Sequence, residues 1–146
     1  MKKSLLFAAA AAALFAASGA QARDDLLTFK IQDALNAPTS QGKITSDVAL
    51  FWGDQHHPAP KQTLDTVTTN KKTNAVNKSD EVACQINLAS AVIALQQHAR
   101  EEGADAVVDI HSFYKSRDFS SETDYQCGAG TFVSGVALRG TVVKLH

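Results

Sequence analysis

The longest helical pattern of apolar positions along the chain begins after Ser79 and ends at Gly103. Ser79 is a typical N-cap residue, and the two acids that follow it, Asp80 and Glu81, favour the positive end of a helix. Glycine commonly follows the last residue of a helix, so Gly103 indicates where this helix ends. We therefore predict one long helix over this segment. Its wide apolar face comprises Val82, Ile86, Ala89 and Ile93 at helical spacing, flanked by Leu88, Val92, Leu95 and Ala99.

Residues with high β-propensity cluster in two segments before this helix and two after it, and we predict a strand in each. The second segment is rich in threonine, and its lysines Lys71 and Lys72 would discourage edge-to-edge pairing, so we place it at an edge of the sheet. The four segments are residues 47–52, 63–76, 106–114 and 131–145.

The element order β-β-α-β-β predicts an α+β fold with two layers, in which one long helix packs on a mainly antiparallel sheet. We expect a single α+β domain over residues 44–146, preceded by an irregular segment over 23–43 that holds one short helix near residues 31–36. Gly135 and Gly140 in the last strand predict a bulge or a bend.

The chain begins with the pattern of a secretory signal peptide. Lys2 and Lys3 precede an apolar run from Leu5 to Ala17, and small residues then lead to a cleavage site after Ala22. The run is shorter than the roughly 20 residues that cross a bilayer. We expect residues 1–22 to be removed on export to the periplasm, leaving no membrane anchor.

Two cysteines, Cys84 and Cys127, lie in the mature part of the chain. Thiols of an exported protein usually pair in the oxidising compartment, so we predict one disulfide between them. A reactive or metal-binding pair is the weaker interpretation because the sequence has no C-x-x-C motif. Closing the long loop between the cysteines would stabilise the fold by about 4 kcal/mol.

Composition changes this picture only slightly. The 146 residues include 14 Lys and Arg, 15 Asp and Glu, and 45% hydrophobic residues, which is too apolar for a disordered chain. Removing Lys2 and Lys3 shifts the formal net charge from −1 to about −3. A protein held to nucleic acid by phosphate contacts normally carries a basic excess, so we expect no nucleic-acid partner.

A polar loop after the first predicted strand carries Asp54, His56 and His57, the side-chain types that bind zinc or copper. Neighbouring residues of an extended chain point to opposite sides, so both histidines reach one ion only if this loop turns. A third ligand is also needed, and His98 and His111 are the candidates. The alternative is a solvated loop that ends at Pro58.

Asp109 and His111 are two positions apart and would share one face of a strand, where they could form an acid–base pair. No G-x-S-x-G or H-E-x-x-H motif accompanies them. A structural role for this strand face is the simpler interpretation. We therefore predict no catalytic residues.

Several segments resemble a group of small exported proteins of Gram-negative bacteria that often carry the label "excinuclease ATPase subunit". The label has no support in this chain, which lacks the G-x-x-x-x-G-K-[ST] loop and the paired-cysteine zinc sites that such an ATPase needs. The segments that carry the resemblance are 51–55, 70–74, 103–108 and 125–127, together with Cys84 and the Ala-rich helix after it.

More distantly, the helix and the Gly-Ala-Asp-Ala-Val-Val segment after it resemble a heavy-metal-binding domain of the Ybj type and the lipoprotein sensor of the Rcs envelope-stress system. Both resemblances imply a β-rich α+β domain with one long helix. The chain departs from the sensor because it has no lipidated cysteine and only two cysteines in all.

From these patterns we expect a non-enzymatic binding or interaction domain of the periplasm with an envelope-related role. Its partner would be an envelope protein or a small ligand. One alternative is a transition-metal-binding protein that holds Zn or Cu through Asp54, His56 and His57. A small hydrolase that uses His111 is the other alternative.

Overall fold

Strands make up most of the regular structure. The computed structural model describes residues 23–146, and the predicted signal peptide with its cleavage site after Ala22 lies outside this range. Within it, no helix has the length and apolar character needed to cross a bilayer. The elements are β1 (Asp25–Lys30), α1 (Ile31–Leu35), β2 (Ala49–Trp52), β3 (Gln62–Asn74), α2 (Asp80–Glu101), β4 (Ala106–Ser112), β5 (Asp124–Ala129) and β6 (Val133–Lys144), with single 3₁₀ turns at Pro38–Ser40 and Tyr114–Ser116.

The long strand β6 organises the sheet. One of its edges pairs antiparallel with β3 along nearly its whole length. Its other edge pairs with β4 at the carboxyl end and with β5 at the amino end, both antiparallel. β1 extends the sheet beyond β5, and β2 extends it beyond β4 in the one parallel pairing of the described chain. The predicted α+β class and mainly antiparallel sheet are confirmed, and β3 lies at an edge as expected.

The helix α2 packs on one face of this sheet, mainly against β3 and β6. Its predicted boundaries are confirmed: the Ser79 hydroxyl accepts a hydrogen bond from the Val82 amide, and Gly103 adopts φ +71° just beyond the end. The predicted apolar stripe was partly wrong, because Val82 is 40% exposed and Ile86 and Ile93 are only half-buried. The stripe buried against the sheet is Cys84, Leu88, Ala91, Val92, Leu95 and Ala99.

The predicted disulfide is confirmed. Cys84 and Cys127 form a bond of 2.06 Å between their sulfur atoms, and both residues are fully buried. The bond joins the first turns of α2 to β5, and it therefore fixes which side of the helix faces the sheet.

A bulge interrupts β4 between Val108 and His111, where Asp109 adopts φ +52°. Because of this extra residue, Val107 and Ile110 both face the core under α2. Gly140 lies opposite the bulge, and a Cβ there would come within 2.7 Å of a Val107 methyl group. The bulge predicted for the last strand at Gly135 or Gly140 therefore lies in its neighbour β4, and the absence of a side chain at Gly140 leaves room for Val107 and Ile110.

Two strands, β1 and β5, lie where we predicted none. The segment expected to be irregular contains β1, whose six residues pair in register with β5. β5 lies between the third and fourth predicted strands, where we predicted no strand. The predicted short helix near residue 31 is present as α1, and its buried residues Ile31 and Ala34 join the main core.

Candidate functional site

The loop that carries Asp54, His56 and His57 lies at the end of β2. Asp54 and His56 are exposed, and the half-buried His57 ring packs 5.4 Å from the Phe51 ring. The His57 Nδ1 atom lies 2.8 Å from the carbonyl oxygen of Pro58. Within residues 23–146, no group of three potential ligands within 4.8 Å of one another includes any of these three residues. The structure therefore brings no third ligand to this loop.

The two histidines proposed as third ligands lie in other clusters. His98 is in the last turn of α2, next to Asp65 of β3 and Glu102. His111 lies near the end of β4, and its Nε2 atom is 2.8 Å from an oxygen of Asp118.

The bulge in β4 changes the expected relation between Asp109 and His111. The His111 Nδ1 atom contacts the Asp109 backbone oxygen at 2.8 Å, whereas the Asp109 carboxylate lies 3.7 Å away and is largely exposed. The closer carboxylate is that of Asp118, so the expected pair is replaced by an Asp118–His111 contact. Both ring nitrogens face acceptor oxygens, and both contacts are hydrogen bonds only when the imidazole carries two protons. The ring has no nitrogen left for a substrate in this arrangement.

Most aromatic residues near the strand ends are packed against the rest of the chain. Trp52 is buried, and Phe113 lies under the Arg139 guanidinium at 4.3 Å. Tyr114 packs over Gly128, where an added Cβ would meet its hydroxyl at 2.0 Å.

Three large exposed apolar residues lie where β3 ends and β6 begins. Phe132 is 67% exposed, Val133 49% and Val76 43%. Val133 pairs with Asn74 in the sheet, and the Ala75 amide donates a 2.8 Å hydrogen bond to the Phe132 carbonyl oxygen. These backbone contacts bring the three residues to the same end of the sheet, and we name the exposed residues Val76, Phe132 and Val133 the apolar tip.

Two lysines flank the apolar tip. Lys72 lines a concavity of about 290 Å³ with Val133, and Lys78 lines a second one with Ala75 and Thr131. Within the described residues neither lysine has a carboxylate partner within 4.0 Å. The apolar tip is therefore bordered by two unpaired positive charges.

Other charges near the apolar tip are paired within the chain. Arg23 forms an ion pair with Asp80 at 2.5 Å. Lys115 and the Tyr114 hydroxyl both donate to Asp24, and the hydrogen bond from Lys115 lowers the pKa of that carboxyl. The pKa of Tyr114 is raised, first by burial and then by Asp24. The surroundings of the apolar tip therefore carry both positive and negative charges.

Compared with protein-family models, with curated proteins and with solved structures, the chain gives no significant match.

Sequence patterns missed both the apolar tip and the cluster around His98. Phe132 follows the Gly128-Ala129-Gly130-Thr131 segment, and its place next to this glycine-rich turn could have indicated that the aromatic side chain is exposed. The cluster around His98 joins residues more than 30 positions apart, and only the packing of α2 on β3 brings them together.

Proposed function

We propose that the mature chain is a non-enzymatic binding domain of the periplasm that uses the apolar tip to bind an acidic, apolar segment of another envelope protein. The apolar tip is the observation that carries this proposal. Exposed apolar clusters on a small protein are typical of interaction sites. Aromatic residues such as Phe132 are also enriched in protein interfaces.

Charge complementarity favours an acidic partner. Lys72 and Lys78 border the apolar tip without a carboxylate of their own, so an incoming carboxylate would gain a partner. An anionic lipid surface fits less well, because only two unpaired basic residues of the described chain, Lys72 and Lys78, border the apolar tip, whereas segments that bind such lipids usually carry clusters of about four to eight Lys or Arg residues. We therefore favour a protein segment over a membrane.

The arrangement around His111 supports a function without catalysis. Both of its ring nitrogens face chain oxygens at 2.8 Å. Both cysteines are in the disulfide, so neither supplies a thiolate nucleophile. The predicted signal peptide and the buried disulfide together support a periplasmic location.

Photo-crosslinking in intact cells tests the proposed interface. A photoreactive amino acid replaces Phe132 in the full-length chain, which is expressed in a Gram-negative host. We expect one dominant protein adduct that forms less when Lys78→Glu is added, since the charge that attracts the partner is reversed.

The exposed helix residue Gln97 provides the control position for the photoreactive group. An equal adduct from position 97, no adduct at 132, or cross-links to lipid alone would each contradict the proposal. The unlabelled Phe132→Ser variant should keep its melting temperature, because an exposed substitution of this kind usually changes stability by less than about 0.5 kcal/mol.

A further inference from the structure

Three potential metal ligands meet where the end of α2 packs on the start of β3. His98 lies in the last turn of α2, and Glu102, four positions later, is the residue that caps the helix on the same side. Asp65 reaches them from β3, just after a shift in strand register between Thr63 and Asp65. One ligand atom from each of the three residues lies within 4.8 Å of the other two.

The distances in this cluster fit metal coordination better than direct hydrogen bonding. The His98 Nε2 atom lies 3.4 Å from an Asp65 oxygen and 3.5 Å from a Glu102 oxygen. Hydrogen bonds from nitrogen to oxygen are shorter, about 2.7–3.2 Å. Two ligands bound tetrahedrally to one ion at about 2.1 Å lie about 3.4 Å apart, which is the separation found here.

The ligand atoms also lack other partners. The His98 Nε2 atom and the Glu102 Oε2 atom are shielded from solvent, yet neither makes a hydrogen bond within the described chain. Buried polar atoms are normally satisfied, and His98 Nε2 lies 3.5 Å from one oxygen of the Glu102 carboxylate whose other oxygen is also unpaired, so the cluster indicates a missing partner. A cation bound between them would satisfy both atoms.

The local electrostatics favour a cation. Two carboxylates face the site, and within residues 23–146 neither has a Lys or Arg nitrogen within 4.0 Å. Arg100, on the same turn, is held by Asp47 at 2.5 Å. The site also lies at the carboxyl end of α2, where the helix dipole is negative and stabilises positive charge.

We propose that Asp65, His98 and Glu102 form a binding site for one divalent first-row transition ion, with its remaining coordination position open to water. One imidazole and two carboxylates form a donor set suited to zinc or a similar ion. The site lies near the start of β3, whereas the apolar tip adjoins the other end of that strand. It is also distinct from the loop of Asp54, His56 and His57.

Calorimetric titration with zinc chloride tests the site in the untagged mature protein purified from the periplasm. We expect one zinc ion per chain, and a visible absorption band of tetrahedral geometry when cobalt replaces zinc. Loss of an outer partner of a metal ligand weakens binding by about 10- to 100-fold. Asp65→Asn, His98→Gln and Glu102→Gln should therefore each weaken zinc binding by at least about tenfold.

The double variant His56→Ala/His57→Ala is the matched control, and it should bind zinc like the wild type. Zinc binding that survives all three site variants, or that disappears in the loop variant, would overturn the proposal. The same holds if the wild type binds no zinc at micromolar concentrations. Asp65 has a side chain about half exposed, so Asp65→Asn provides the test even if His98→Gln fails to fold. A site variant that loses zinc binding but still cross-links through position 132 would show that the metal site and the proposed binding function are independent.

Discussion

Single buried polar residues connect the layers of this protein. Gln96, in α2, is 1% exposed and faces the segment that leads into β2. Its amide nitrogen donates to the backbone oxygens of Thr45 at 2.7 Å and Val48 at 3.0 Å. Its oxygen accepts from the Thr45 amide at 3.2 Å. One side chain therefore satisfies three backbone groups in the segment that leads into β2.

Replacing Gln96 by leucine should destabilise the protein by about 2 kcal/mol, because backbone groups would lose their partners without regaining water. Gln97, the next residue, is exposed and provides a matched control. Gln97→Leu should change stability by less than about 0.5 kcal/mol. Urea unfolding followed by circular dichroism measures both values. Equal stability of the two variants would show that the Gln96 contacts contribute little.

Apart from the Cys84–Cys127 disulfide, the sequence could predict the residues that act locally but not those that act at long range. Ser79 and Gly103 were found because a helix cap and a helix end depend on neighbouring positions alone. Gln96 was not found, since a polar residue in a helical pattern is ordinarily assigned to the exposed side. Its role depends on a segment about 50 positions away.

Among the elements, α2 and four strands were predictable because each carries its own apolar or β-forming pattern. β1 and β5 were not. β1 is a short segment whose one β-branched residue is Thr28, and β5 contains glycine and small residues in place of a β-branched run. Each of these strands exists because the other pairs with it. The parallel pairing of β2 with β4 likewise depends on contacts between distant segments.

The end of β6 is held by a carboxylate from the connection after α2. Asp105 accepts hydrogen bonds from the backbone amides of Leu145 at 2.7 Å and His146 at 3.2 Å. The bond from Leu145 is the main cause that lowers the pKa of Asp105 from 3.8. A carboxyl with a lowered pKa stabilises the fold above its ordinary pKa, and this contribution disappears as pH falls through the lowered value.

Asp105→Asn should therefore be less stable than the wild type near neutral pH, and the difference should shrink as pH falls below about 4. Urea unfolding at a series of pH values from neutral to acidic measures this difference. An unchanged dependence on urea concentration serves as the control that the unfolded state is unaffected. A stability difference that stays constant down to the most acidic pH would rule out this role for Asp105.

At the scale of the whole molecule, one helix covers one face of a sheet, and the disulfide ties the two layers together. The cysteines are separated by 43 positions, and their bond joins α2 to the β5–β1 side of the sheet. Arg100 and Asp47 form a second link near the other end of α2. The hydrogen bond from Arg100 is the main cause that lowers the pKa of Asp47. An exposed ion pair contributes little, so the covalent bond dominates.

Removing the disulfide should cost about 4 kcal/mol, because the unfolded chain regains the freedom of a long closed loop. The double variant Cys84→Ala/Cys127→Ala avoids a free buried thiol. Its urea unfolding is compared with that of the wild type, both purified under oxidising conditions. Adding reductant to the wild type should lower its stability toward that of the variant, and adding reductant to the variant, as the control, should have no effect.

The result also bears on the compartment of the protein, since a domain with a net stability of only about 5–15 kcal/mol depends strongly on a bond of this size. A double variant as stable as the wild type would mean that α2 and the sheet hold together by packing alone, and the disulfide would then give no reason for the protein to reside in an oxidising compartment.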